Sequence, residues 1–253
     1  MLAVDVTERF SDRVDNYIKY RPGYPEALIE QIARLVPDPA SAACADFGSG
    51  TGILAAKLAA HFRTVYGVEP NAEMRRAGER LLAGVPNFVS VEGTAERSGL
   101  LSASVQIVTA AQAFHWFDRD RFKAECQRIL APEGVVALVW NDRRSNTELL
   151  MIYEDLLTRY ATDYNEVNHQ NLGAEVIARF FGGRVEHRTF ENVQRFDLEG
   201  LLGRLDSSSY APKPGTREHE ILHRELRLAF DRLNEGGLVA FNYATELYWG
   251  KVQ

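Results

Sequence analysis

Asp46-Phe47-Gly48-Ser49-Gly50-Thr51-Gly52 is the stretch that decides the architecture of this chain. It closes an apolar run from Ala42 to Phe47 that reads as a strand and opens a helix that reads from Ile53 to Phe62. Glu69 follows Gly52 by 17 residues and ends a second apolar run, Val65-Tyr66-Gly67-Val68. A glycine-rich turn between strand and helix, with an acid ending the next strand, is how a doubly wound α/β sheet holds a nucleoside-containing ligand. The glycines let the backbone approach the ligand, and the acid accepts hydrogen bonds from ribose hydroxyls.

The glycine spacing narrows the ligand. A dinucleotide turn reads Gly-x-Gly-x-x-Gly/Ala, whose third small residue lets the helix pack close beneath a pyrophosphate. Here the pattern is Gly48-x-Gly50-x-Gly52 with Ile53 at the third position, so a pyrophosphate cradle would be crowded. A sulfonium amino acid carries no phosphate and needs only room for its methionyl arm. No Gly-Lys-Ser/Thr follows the loop, which excludes a Walker-type phosphate site.

At 253 residues and 45% apolar content, the chain can bury one α/β core with a modest insertion. A net charge of −6 offers no basic field for phosphate neutralisation, so nucleic acid is not an expected partner and a small molecule is. Cys44 and Cys126 fall in a strand and a helix without metal or redox spacing. The early Asp5, Glu8, Arg9, Asp12 and Arg13 are unlike a secretory leader, and the longest apolar run, Val135 to Trp140, is too short to span a bilayer. The expectation is a cytoplasmic protein with no membrane partner, a monomer or homodimer.

Around the opening motif, strand and helix alternate. Phe10, Val14, Tyr17 and Ile18, then Leu28, Ile29, Ile32, Leu35 and Val36, mark two helices joined by the rigid turn Tyr20-Arg21-Pro22-Gly23-Tyr24-Pro25. A helix is expected from Asn71, its N-cap, to Ala83, with strands at Phe88 to Glu92 and Val105 to Ala110. A helix beginning near Asp118 turns at Ala131-Pro132-Glu133-Gly134 into the apolar strand Val135 to Trp140. Uninterrupted apolar strands separated by helices imply a parallel sheet covered on both faces. Beyond Asn141, helical stretches at 145–181 and 197–234 accompany two further strands, Val185 to Phe190 and Val239 to Trp249. The division expected is a helical N-terminal lid over 1–40, a ligand-binding core over 41–144, and cap insertions with the last two strands over 145–253.

Tyr20-Arg21-Pro22-x-Tyr24-Pro25, the 46–52 glycine motif, Val68-Glu69-Pro70-x-x-x-Met74, Gly93-Thr94-Ala95-Glu96 and Ala111-Gln112-Ala113-Phe114-His115-Trp116-Phe117-Asp118 together resemble the class I S-adenosylmethionine (SAM) dependent methyltransferases. The likeness is to the methyltransferase type 11 group and, through the Phe-His-Trp-Phe segment, to the trans-aconitate methyltransferase branch. It implies a Rossmann-like seven-stranded, mostly parallel sheet with an antiparallel last strand and a helical cap. The cofactor implied is SAM, leaving as S-adenosylhomocysteine. In such proteins Gly48, Ser49 and Gly50, following Asp46, would contact the methionyl part, Glu69 the ribose, and Pro70 and Met74 the adenosine. Thr94, Ala95 and Glu96 would lie at the adenine edge and Ala111-Gln112 at the methionyl amine.

Tyr20 and Arg21 are expected beside the cofactor, the guanidinium pairing with the SAM carboxylate. His115 would stand near the transferable methyl group, as a general base or, with Trp116, as pocket wall. Arg143, Arg144, Arg204 and Ser207 are candidate donors to an acceptor carboxylate, which would become a methyl ester. His219-Glu220-Ile221-Leu222-His223 matches the zinc-protease pattern, but no third-ligand signature follows, and Leu222, Leu226, Ala229 and Leu233 form an ordinary packing stripe, so no metal is expected. The fourth strand has neither an Asn/Asp-Pro-Pro-aromatic stretch nor a Pro-Cys nucleophile, which argues against nucleobase methylation. The competing readings are a nicotinamide-dependent oxidoreductase, which Ile53 disfavours, and a SAM-binding protein without turnover.

Overall fold

A computed structural model describes residues 18–162, 164 and 173–252. The helix expected around Phe10, Val14 and Tyr17 lies outside the described residues. The elements run α1 (Glu26–Arg34), β1 (Ala43–Phe47), α2 (Ile53–Leu58), β2 (Thr64–Val68), α3 (Ala72–Leu81), β3 (Phe88–Val91), β4 (Val105–Ala111), α4 (Arg119–Ile129) and β5 (Leu130–Arg143). They continue with α5 (Glu148–Tyr160), α6 (Ala174–Phe180), β6 (Glu186–Phe196), α7 (Leu198–Asp206), α8 (Arg217–Leu233) and β7 (Val239–Gly250).

The seven strands form one sheet in the order β3-β2-β1-β4-β5-β7-β6. Strands β1 to β5 pair in parallel, while β7 runs antiparallel to both β5 and β6. All five residues of β1 are buried, as an apolar central strand requires when helices cover both faces. Leu28, Ile32, Leu54 and Leu58 cover one face, and Phe122, Cys126, Ile129 and Phe180 the other. Strand order reverses between β1 and β4, so a crevice opens at their carboxyl ends.

The helix expected over Ile53 to Phe62 ends at Leu58, and two strand boundaries depart further from the sequence expectation. The segment Ala131-Pro132-Glu133-Gly134, expected as a turn, lies within β5 as a bulge: Val105 pairs with Leu130, but Ile107 already pairs with Val135. Proline without an N–H and Glu133 at φ 68° are accommodated there because the bulged residues leave the ladder. Strand β6 extends to Phe196, well past Phe190, pairing with β7 throughout. Its Glu-Asn-Val-Gln-Arg stretch is too polar to read as a strand, but β6 is an edge strand with much of its length exposed.

Beneath the cap, Leu150, Tyr153 and Leu157 of α5 pack with Leu201 and Leu205 of α7, Leu222 and Leu226 of α8, and Phe241 and Tyr243 of β7. Side-chain N-caps start three of these helices, Thr147 for α5, Asp197 for α7 and Thr216 for α8, each worth about 1 kcal/mol. Among the described residues no helix is long and apolar enough to cross a membrane.

Candidate active site

The turn after β1 is tied to β2 by backbone hydrogen bonds. The amides of Gly48 and Ser49 both donate to the Val68 carbonyl of β2, at 2.9 and 3.2 Å. Gly48 sits at φ 61°, where a Cβ would lie 2.6 Å from the Cβ of Ala113. Any side chain at position 48 would therefore strain the backbone and fill the gap between the β1 and β4 loops.

Glu69 is buried at the end of β2, and its carboxylate is fixed by the loops on either side. Oε2 accepts from the Gly50 amide at 2.8 Å and Oε1 from the Asn71 amide at 2.9 Å. One lone pair on each oxygen remains for a ligand hydroxyl. Burial raises its pKa, opposed by the Asn71 and Gly50 amides and by Arg75. Asn71 caps α3 as expected, accepting from the Met74 amide at 3.0 Å, which places Pro70 and Met74 beside the acid. Below the turn Asp46 is buried and accepts from Thr109 Oγ1 at 2.7 Å. Burial pushes its pKa up to about 7; the Thr109 bond opposes the shift and the Glu69 charge adds to it.

The crevice is lined by Gly48, Gly50, Glu69, Pro70, Met74, Thr94, Ala95, Glu96, Ala111, Gln112 and Trp116, all singled out in the sequence. Asn71, Ala113 and Phe117 also line it; their positions just past strand ends were the available signal. Gln112, at the carboxyl end of β4, holds the left-handed φ of 56°, a costly conformation for a non-glycine residue and one that clusters at functional sites. Phe114 is fully buried against Phe122, Phe180 and Trp140, which anchors the short 3-10 turn Phe114–Trp116 and leaves Trp116 and Phe117 at the crevice. The His115 ring lies against Trp116, with centroids 4.7 Å apart, and is not among the lining residues. Asp46 and Ser49 are not among the lining residues; the Ser49 carbonyl accepts from the Gly52 amide at 2.9 Å within the turn.

Tyr20 and Arg21 stand elsewhere. The Tyr20 hydroxyl donates to Glu199 at 3.0 Å, and Arg21 Nη2 donates to the Ser207 carbonyl at 3.1 Å, so both residues are tied to α7 and the turn that follows it rather than to the glycine turn.

A second polar cluster lies under the cap. Arg143, from the end of β5, pairs with Glu154 and donates to the Tyr164 hydroxyl at 2.8 Å, its guanidinium 4.7 Å from the centre of the Tyr153 ring. Arg204, from α7, is 4% exposed; its Nε donates to Tyr243 at 3.0 Å and its Nη1 to Ser208 at 2.9 Å. Ser207 is buried beside it. Arg204 has no carboxylate within ion-pair distance among the described residues. Arg143 Nε and the Tyr153 hydroxyl are likewise buried with no hydrogen-bond partner among them. Burial opposes ionisation of the Tyr210 phenol, yet Arg143, Arg204 and Arg21 outweigh it and bring its pKa down to about 8. Burial raises the pKa of Tyr153. The neighbouring Arg144 is exposed and its amide donates to Asn242, so it stands apart from the cluster. Sequence reasoning missed Tyr153, Tyr164, Tyr210 and Tyr243, which carry no local motif.

Residues 45–138 match the methyltransferase domain family. An uncharacterized methyltransferase of Mycobacterium tuberculosis is 39% identical over 140 residues, 55% of this chain and 54% of that protein. The chain thus matches about half the length of that relative. An uncharacterized methyltransferase-like protein of Schizosaccharomyces pombe is 28% identical over 218 residues, covering 86% of this chain and 84% of its own. Among solved structures, a chain described as a candidate type II methyltransferase from Anaeromyxobacter dehalogenans superposes with a TM-score of 0.67 at 25% identity, over 92% of this chain and 98% of that one.

Proposed function

We propose that this chain, which belongs to the class I SAM-dependent methyltransferases, transfers the SAM methyl group to a carboxylate oxygen of a small organic acid. The observation that carries the acceptor is Arg204, a buried guanidinium without a carboxylate partner among the described residues, with Arg143 and Arg21 as neighbours. A buried cation left without a counter-charge is costly, and an anionic ligand relieves the cost.

The crevice residues fit SAM. The lining carries Glu69 and Glu96 and neither lysine nor arginine, a donor set that suits a cationic sulfonium and a ribose and gives a pyrophosphate no counter-charge. When bound, SAM supplies an electrophilic methyl carbon. Glu69 would accept from the ribose hydroxyls, Gly48 and Gly50 would leave room for the methionyl arm, and Pro70 and Met74 would cover the adenosine. Thr94, Ala95 and Glu96 would serve the adenine edge, Ala111 and Gln112 the methionyl amine. Arg204, Ser207 and Arg143 hold the acceptor carboxylate in line, with Tyr20 and Arg21 closing the cap turn behind them. The methyl carbon would pass to a carboxylate oxygen as the C–S bonding pair returned to sulfur, and no side chain would need to take a proton, since a carboxylate is already ionised at neutral pH. Trp116 is then pocket wall, with the His115 ring packed against it.

The test is labelled-methyl transfer from SAM into panels of carboxylic acids, phenols and amines. Base-labile methyl esters are expected, with KM raised at least tenfold in Arg204→Ala and kcat largely retained in His115→Ala. Transfer confined to phenols or amines, collapsing by roughly 10²–10⁴-fold in His115→Ala, would overturn the carboxylate reading and make His115 the base.

A further inference from the structure

We propose that Asp206, His219 and His223 form a binding site for a divalent transition-metal ion of the zinc type, joining the end of α7 to the start of α8. The two histidines lie four residues apart in α8 and so share one face. Their Nε2 atoms converge on a single oxygen, Asp206 Oδ1, at 3.1 and 2.9 Å, and their rings stand 4.0 Å apart. All three ligand atoms lie within 4.8 Å of one another. Zinc bonds to nitrogen and oxygen of about 2.0–2.2 Å set ligand atoms about 2.9–3.5 Å apart in octahedral to tetrahedral geometry. Both histidine–aspartate separations already fall in that range.

The backbone under the three ligands is fixed before any ion arrives. The Thr216 cap accepts from the His219 amide, Leu222 and Leu226 bury the adjoining stripe of α8, and α7 is capped by Asp197. The side chains of Asp206, His219 and His223 are 22, 14 and 21% exposed, open enough for an ion to enter with water in its remaining positions. No third ligand is legible beside the motif because Asp206 precedes the His-Glu-x-x-His stretch by 13 residues and belongs to another helix. Glu220 is exposed and outside the ligand set, so the site lacks the general base of a zinc protease. Asp206 also stands between Arg204 and Ser207, so an ion here pins the turn that carries the cationic cluster.

Chelator-treated, desalted protein titrated calorimetrically with zinc chloride should bind one equivalent and melt at a higher temperature when loaded. Affinity should fall by about 100-fold or more in His219→Gln, His223→Gln and Asp206→Asn, and magnesium chloride, a hard ion preferring oxygen ligands, should not compete. Far-UV circular dichroism and the metal-free melting temperature report whether each variant folds. Cobalt chloride added to the unsubstituted protein should give the visible bands of a nitrogen-ligated ion, a readout that needs no variant. Absence of saturable zinc uptake, uptake unchanged in folded His219→Gln/His223→Gln protein, or equal competition by magnesium would overturn the site.

Discussion

Glu69 holds the loop after β1 through Gly50 and the start of α3 through Asn71 and still has lone pairs free for a ligand hydroxyl. Glu69→Ala should therefore weaken SAM by about tenfold or more, the equivalent of losing a charge-assisted hydrogen bond of roughly 1.5–3 kcal/mol, as calorimetry would show. Unchanged affinity would remove this residue from the site. If the cluster of Arg143 and Arg204 holds the acceptor as proposed, Tyr210 gives it a pH dependence. As pH rises through its pKa of about 8 the phenolate forms and cancels one guanidinium charge, so KM for an anionic acceptor should climb above pH 8. Tyr210→Phe should keep KM flat across the same range; a parallel rise in both proteins would exclude the tyrosine as cause.

Between elements, the closest packing ties the N-terminal segment to the cap. A Cβ at Gly203 of α7 would lie 2.1 Å from the Tyr20 ring, so this helix can approach Tyr20 only with glycine at that position. Gly203→Ala should force the ring out, costing roughly 1–3 kcal/mol and lowering the melting temperature by several degrees. Tyr20→Ala in the same chain should recover part of that loss, because it removes the clash; additivity of the two substitutions would show that the contact is loose. Arg21, next in the chain, donates to the Ser207 carbonyl, a second tie between the N-terminal segment and the turn after α7.

Across the molecule, the buried Asp46 couples stability to pH. Its folded pKa is raised from 3.8 to about 7, so between those values the native state keeps a proton that the unfolded chain releases. Stability from this group is full below about pH 4 and lost as pH rises through 7, by at most about 4 kcal/mol. Urea denaturation from pH 4.5 to 8 should show that decline, and Asp46→Asn should flatten it. Equal pH slopes in the two proteins would place the titration elsewhere.

The sequence by itself determined the sheet and the crevice at its carboxyl edge. Strand and helix periods are local, and a parallel sheet puts every loop after a strand on one edge, so Gly48, Glu69, Thr94 and Gln112 could be aligned without coordinates. The edge strand β6 was only half legible, because an exposed face tolerates polar residues that erase the apolar pattern. Tertiary structure alone decided the cap. Arg143, Arg204, Tyr210 and Tyr243 come from four separate segments with no shared period, and their meeting depends on how α5, α7 and α8 pack on β7. The same holds for Asp206, His219 and His223. A motif spaced along one helix is written in the chain, whereas a ligand supplied by a neighbouring helix exists only once the two helices have packed.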